Sequence, residues 1–143
     1  MNALQFAWPI STRYVKKYFV KAYYCHHFVL PLPEGHGFPM EKYRLLYEQV
    51  KSNADAWNID LIEPHAARDE DLSRVHCPDY IGRMSSGNVH DQEMRRIGFP
   101  WSAQMVERSR RSSGATMSAL ESAIAGDGIA VNLAGGTHHA AYD

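Results

Sequence analysis

Short apolar runs alternate along this chain with longer stretches whose apolar residues recur at helical spacing. Phe19, Val20, Tyr23 and Tyr24 are strand formers and predict a first strand over 21–25. Leu30 to Pro39 holds three prolines and two glycines, so it is a loop. A helix follows Pro39, with Met40, Tyr43, Leu46, Tyr47 and Val50 at i, i+3, i+4 spacing. Ile59 to Ile62 fits a second strand, ended by Pro64. Asp69 is placed to cap a short helix through Val75, and Pro78 to open another that ends near Gly87. Asp91 begins a turn or two of helix that stops at Gly98. The longest helix runs from about Ser102 to Ala125. Its predicted buried stripe is Met105, Val106, Ser109, Ser113, Met117, Leu120 and Ile124. Ser112, Ser113, Gly114 and Ala115 inside it suggest close packing on a neighbour. Gly126-Asp127-Gly128 ends it, and the apolar run Ile129 to Ala134 reads as a strand buried on both faces.

Strands alternating with helices argue for an α/β fold built on a parallel sheet. Three strands are visible, and the last is an exposed edge. Parallel sheets are normally covered by helices on both faces, so the expectation is an incomplete domain over 21–143. Residues 1–20 are expected to be an irregular extension. The first 33 residues lack Asp and Glu but carry Arg13, Lys16, Lys17 and Lys21, the composition of an organellar transit peptide; an extension leading into the first strand is the preferred reading.

Composition narrows the function classes. A net charge of -1 argues against a nucleic-acid surface. No stretch approaches the roughly 18 apolar residues that span a bilayer, so no membrane partner is expected. Cys25 and Cys77 lie far apart, outside any Cys-x-x-Cys pattern, which points away from a disulfide scaffold or zinc ribbon and towards a cytoplasmic setting.

The candidate chemistry sits at the end of the last strand, where Gly135-Gly136 delivers His138 and His139. In a parallel sheet, chemistry collects past the carboxyl ends of the strands. The glycine pair lets the backbone leave the extended region, so both imidazoles can line one pocket. One can hold charge while the other moves protons near neutral pH. Coincidence is the competing reading, since the chain has 8 histidines and a second pair at His26-His27. The strand and glycines favour the later pair. Metal binding by this chain alone looks poor, because no His-Glu-x-x-His or closely spaced Asp/His cluster is present. Gly35-His36-Gly37 is not a dinucleotide fingerprint, and there is no Gly-x-Ser-x-Gly elbow. Arg44, on the first helix, can hold a carboxylate if buried and is otherwise solvated. Trp101 either rims a pocket or packs beneath a loop.

The segment Asn132-Leu-Ala-Gly-Gly-Thr-His-His-Ala140 resembles the di-histidine motif of the histone deacetylase superfamily, its bacterial and class IV-like branch. Pro31 to Arg44, Arg74 to Tyr80, and Ile97 to Ser102 leading into Arg108 to Thr116 agree with that family in order and spacing. The resemblance covers roughly 21–143. It implies an arginase-like α/β fold, here as an N-terminal portion, and zinc-dependent hydrolysis of an acetyl-lysine-type or acetylated amine amide. In that family zinc polarises the acetyl carbonyl and activates a water. By the same resemblance His139 is general base and then acid, and His138 tunes charge and holds the water. Arg44, His36 and Gly136 are expected at the substrate, Arg44 beside an internal channel and the Pro31–Pro39 loop at the pocket rim. The family's zinc ligands and oxyanion tyrosine follow the histidine pair and are not in these 143 residues, so the chain alone is expected to be inactive. Where better-known members carry a substrate-gripping loop aspartate, this sequence has about Pro100. The alternative is a non-catalytic pseudo-enzyme or interaction module that packs its open edge on a partner.

Overall fold

Strand formers at Val20–Tyr23 make β1, the central strand of a three-stranded parallel sheet in the computed structural model, which describes residues 19–126, 128–135 and 142. The strand order is β2-β1-β3, with β2 at Ile59–Ile62 and β3 at Ala130–Asn132. Val20 stands beside Ile59 and Tyr23 beside Ile62; on the other side Lys21 pairs with Ala130 and Tyr23 with Asn132. Parallel neighbours need crossovers, and helices supply them. α1 (Glu41–Trp57) links β1 to β2. α2 (Asp69–Leu72), α3 (Pro78–Ser86), α4 (Asp91–Ile97) and α5 (Ala103–Ala125) lie between β2 and β3. The α/β expectation is met.

Local chemistry sets the boundaries. Asn58 ends α1 in the left-handed region at φ 53°, a conformation asparagine tolerates, and its carbonyl accepts the Val20 amide at 2.8 Å. The turn out of the helix is thereby stitched to the start of β1. Pro78 sits in the first turn of α3, and Gly87 and Gly98 end α3 and α4 with φ of 80° and 77°. The Ser102 hydroxyl caps α5 by accepting the Met105 amide at 3.0 Å.

α5 carries the core. Ala115 and Ala119 pack on Tyr23, with Ile62 and Ala130 beside them, and the Tyr23 hydroxyl meets Ser122 Oγ at 2.7 Å. Gly114 lies against the segment after β2, where a Cβ would overlap the His65 carbonyl oxygen. That segment is tied to the helix by Ala67 N–H to the Arg110 carbonyl (2.9 Å), Arg110 to the Ala67 carbonyl (3.2 Å) and Arg111 to the Pro64 carbonyl (2.7 Å).

Three features depart from expectation. The buried residues of α5 are Met105, Arg108, Gly114, Ala115 and Ala119, while Ser109, Leu120 and Ile124 are exposed. The helix is turned so that its small residues, rather than its large ones, face the sheet, because only they allow the backbones to approach. β3 is three residues long, and Leu133 and Ala134 turn away from it. It is not buried on both faces: Val131 is 39% and the preceding Ile129 65% exposed on an edge with no further strand among the described residues. Asp69 is the first helical residue of α2 rather than its cap, which is Arg68, and the helix ends at Leu72.

Gly114→Ala is expected to cost about 3 kcal/mol or to prevent folding, because backbone rather than a flexible side chain opposes the new methyl. Gly82→Ala, on α3 with open space around the position, should instead gain about 0.5–1 kcal/mol. Urea unfolding followed by circular dichroism measures both.

Candidate functional site

The carboxyl ends of β1 and β3 open on the same edge of the sheet, and the loop after β1 folds across it. Cys25 is fully buried one residue beyond the Tyr24 amide that still bonds the Ile62 carbonyl. The chain then turns, with Phe28 N–H returning to the Cys25 carbonyl at 3.2 Å. Cys25, Tyr43 of α1 and Ala134 after β3 form one buried cluster, flanked by Phe28, Phe38 and Met40. The two strand exits therefore meet in a common apolar floor.

Arg108 of α5 lies in this floor, 6% exposed. Its Nη1 donates to the carbonyls of Phe28 (3.0 Å) and Cys25 (3.3 Å), and its guanidinium stands 4.1 Å from the centre of the Tyr43 ring. Carbonyl dipoles and a ring face, rather than a carboxylate, receive its charge among the described residues. Burial pushes the Cys25 thiol up, against the opposing charges of Arg108 and Arg111, so this cysteine is a core residue and a poor nucleophile.

His36 joins two loops at the rim. Its Nδ1 accepts the Phe38 amide at 3.1 Å, so Nε2 carries the proton and donates to the Gly98 carbonyl at 3.3 Å. The ring stacks on Phe99 at 5.7 Å, and Phe99 meets Phe38 edge-on at 5.0 Å. Both ring nitrogens are engaged within the protein. Arg44 is half-exposed on α1 and pairs with Glu41 and, at 2.7 Å, with Glu48. The condition for holding a ligand carboxylate there, burial, is not met. Gly136, His138 and His139 lie outside the described residues. Trp101 packs on Gly87 and donates Nε1–H to the Met84 carbonyl at 2.8 Å.

Sequence reasoning misses three features of this edge. Arg108 is one of several arginines on a helix, set apart only by lacking the acidic neighbour that Glu107 gives Arg110 and Arg111 one turn on. Asn132 and Ser112 hold the exit of β3; a polar residue ending an apolar strand just before paired glycines is the visible hint. The third is the earlier histidine pair. His26 stacks on Tyr47 at 3.8 Å, Tyr47 lies 4.6 Å from Tyr24, and His27 Nε2 sits 3.4 Å from Glu63, whose other oxygen is 3.6 Å from Arg111.

A zinc centre needs three or four converging donors. Among the described residues no three His, Cys, Asp or Glu side chains come together in that way, so the donor set does not fit a zinc ion there.

Comparison with known proteins gives this edge its context. The histone deacetylase domain model matches residues 36–143. The chain belongs to the histone deacetylase family. An uncharacterised protein of Picosynechococcus sp. is 38% identical over 113 residues, covering 79% of this chain and 37% of its own. The acetoin utilization protein AcuC of Bacillus subtilis is 30% identical, covering 74% of this chain and 30% of its own. Histone deacetylase 1 of Oryza sativa subsp. japonica is 26% identical, covering 74% and 23%. The chain thus spans between about a quarter and two fifths of the length of these relatives. The family match begins at His36 within the first rim loop and takes in the second, α5 and the His138-His139 pair. Among the described residues no helix is long and apolar enough to cross a membrane.

His26 makes stability depend on pH. Burial holds its imidazole below the usual value of 6.5; neighbouring His27 and, behind it, Lys51 and Arg44 push the same way, against Glu48. The ring's Nδ1 is buried without a hydrogen-bond partner. Between the lowered folded value and 6.5 the unfolded chain binds more protons, so this contribution is intact above 6.5 and is lost as pH falls below it. The thermal midpoint should drop between pH 7.5 and 5.5, and His26→Gln should flatten that drop. Asp71 and Glu93, both held below the ordinary carboxylate range by arginine and backbone contacts, lose their contribution only at still lower pH.

Proposed function

We propose that this chain is the N-terminal portion of a zinc-dependent deacetylase-like hydrolase acting on acetyl-lysine-type or acetylated small-amine amides. The observation that carries the reading is the family match across 36–143, which takes in His138 and His139. The geometry supports it. Two parallel strands and a Pro/Gly loop converge on one edge, over a floor holding a buried guanidinium. In this reading His139 takes a proton from the attacking water and returns it to the leaving amine, while His138 holds the water and tunes the charge. The loops bound by His36 make the rim. His36 acts there by fixing the loops, since its nitrogens are already occupied. Any zinc is held by donors other than the described residues, and a cytoplasmic location belongs to the same proposal.

The interaction-module reading has one observation in its favour. Leu120 and Ile124 on α5, and Ile129 and Val131 at β3, an edge strand among the described residues, are exposed large apolar residues. Such a surface is covered in a working protein, by more of the same domain or by a partner.

A fluorogenic acetyl-lysine substrate separates the readings. The isolated 143 residues should give no turnover. A longer product containing them should hydrolyse the substrate, and His139→Ala should lower the rate about 10²–10⁴-fold. Turnover by the 143 residues that disappears in His139→Ala would refute the need for further residues. A longer product inert on acetyl-lysine and acetylated polyamines would refute the deacetylase reading.

A further inference from the structure

The Phe28 N–H returns to the Cys25 carbonyl at 3.2 Å, which makes residues 25–28 a β-turn with His26 and His27 at its central positions. The carbonyls at the two ends of this turn, those of Cys25 and Phe28, are the ones that Arg108 Nη1 holds, at 3.3 and 3.0 Å. A single guanidinium nitrogen fastens the turn from inside.

From outside, the two central side chains hold it by different means. His26 lies flat on Tyr47 of α1, with ring centres 3.8 Å apart and planes 16° from parallel, and Tyr24 stands 5.5 Å away. Its Nδ1 is buried with no hydrogen-bond partner among the described residues. A neutral ring is tolerated there; a protonated one would bury a charged donor with nothing to receive it. The surroundings do not rescue that charge. His27 on the turn, and Lys51 and Arg44 on α1, oppose it, and Glu48 is the acidic group that favours it. His27 is placed the other way. It is half-exposed and its Nε2 stands 3.4 Å from Glu63 after β2, so a proton there strengthens a contact already made. Glu63 in turn lies 3.6 Å from Arg111 of α5, whose guanidinium stands 4.7 Å from the centre of the Phe28 ring.

We infer that the Cys25–Phe28 turn is an acid-released latch on Arg108. A proton on His26 drives the ring off Tyr47 into water, the turn loses its outer hold, and its two end carbonyls come away from the guanidinium. The sign follows from burial. In water the ring has its ordinary value of 6.5, whereas burial, and then His27, hold the stacked ring below it. Acid therefore favours the open turn. At pH 5.5, one unit below 6.5, the gain of open over closed reaches at most about tenfold. The meaning of this release for catalysis rests on the deacetylase reading; the latch itself rests on the contacts of the turn, and its test does not use turnover.

The test is hydrogen exchange by nuclear magnetic resonance on the 143-residue chain at pH 7.5 and 5.5, corrected for the intrinsic pH dependence of exchange. Protection of the Phe28 amide should fall by up to about tenfold on acidification, and the Arg108 guanidinium protons should lose protection with it. The fall at Phe28 should be the same in low, sub-denaturing urea, because a local opening exposes little surface, whereas Ala22 in β1 and Ala119 in α5 should respond to urea. His26→Phe keeps a flat ring on Tyr47 and takes no proton, so the pH dependence at Phe28 should vanish; His27→Gln should keep it. Phe28 protection that tracks Ala119 in urea would mean global unfolding and overturn the latch. A pH dependence that survives His26→Phe, or Arg108 protons that stay protected while Phe28 opens, would overturn it as well. Should His26→Phe fail to fold, Tyr47→Leu removes the platform instead. That variant should open the turn already at pH 7.5 and lose the pH dependence, and an unchanged pH dependence would sink the inference. Failure of the deacetylase reading would show separately, as absence of turnover in the longer product.

Discussion

Gly114 and Ala115 let the backbone of α5 approach both the sheet and the segment after β2, and the arrangement of the C-terminal edge follows from that closeness. With Gly114 against the His65 carbonyl, the next turns of the helix come within reach of two different strand exits. Arg108, two turns earlier, reaches the carbonyls after β1; Ser112 and Thr116 reach Asn132 and Ala134 after β3. A larger residue at 114 would lift the helix and break both sets of contacts together. One close-packed line thus sets the position of two loops.

The edge divides its labour between apolar and polar contacts. Cys25, Tyr43, Ala134 and their aromatic neighbours exclude water, which is nondirectional and leaves the backbone free to choose among similar packings. Direction comes from hydrogen bonds to single carbonyls and amides: Arg108 on one strand exit, Asn132 with Ser112 on the other, His36 across the rim. Each stands in or beside the apolar floor, where an unmade bond would be costly. That cost is what makes the loops hold one conformation.

The sequence reveals elements better than faces. β2 is legible to the residue, and α3, α4 and α5 nearly so, because Pro78, Gly87, Gly98 and Ser102 act locally, each through its own backbone preference or hydroxyl. Apolar periodicity misplaces the buried stripe of α5 because it assumes that the largest apolar residues face the core. Here Leu120 and Ile124 are outside and Ala115 and Ala119 inside. Helical phase is set by how near the sheet can come, a property of the pair of elements. The parallel sheet and its exposed third strand are legible from the alternation of elements. The family is legible from motifs. Arg108 is legible only in part: Glu107 stands one turn before Arg110 and Arg111 and gives them a local acidic neighbour that Arg108 lacks, but only the fold supplies the carbonyls that take Arg108 inside.

The contrast between Arg44 and Arg108 carries a further step. Both lie on helices flanking the sheet, yet Arg44 is bracketed on its own helix by Glu41 and Glu48, and Arg108 has no such acidic neighbours, with Met105 and Ser112 at those positions instead. An arginine with acidic partners at i−3 and i+4 is satisfied locally and stays where water also reaches it. One without them goes inside only if the fold offers acceptors; here the turn after β1 offers two carbonyls and Tyr43 of α1 a ring face. Carbonyls satisfy the donors without cancelling the charge. Among the described residues the floor beneath the strand exits therefore holds a guanidinium with no carboxylate partner, screened less than a surface charge would be. In the proposed hydrolysis, negative charge develops on the substrate oxygen and remains on the released carboxylate. Under that proposal a fixed cation at the strand exits favours both.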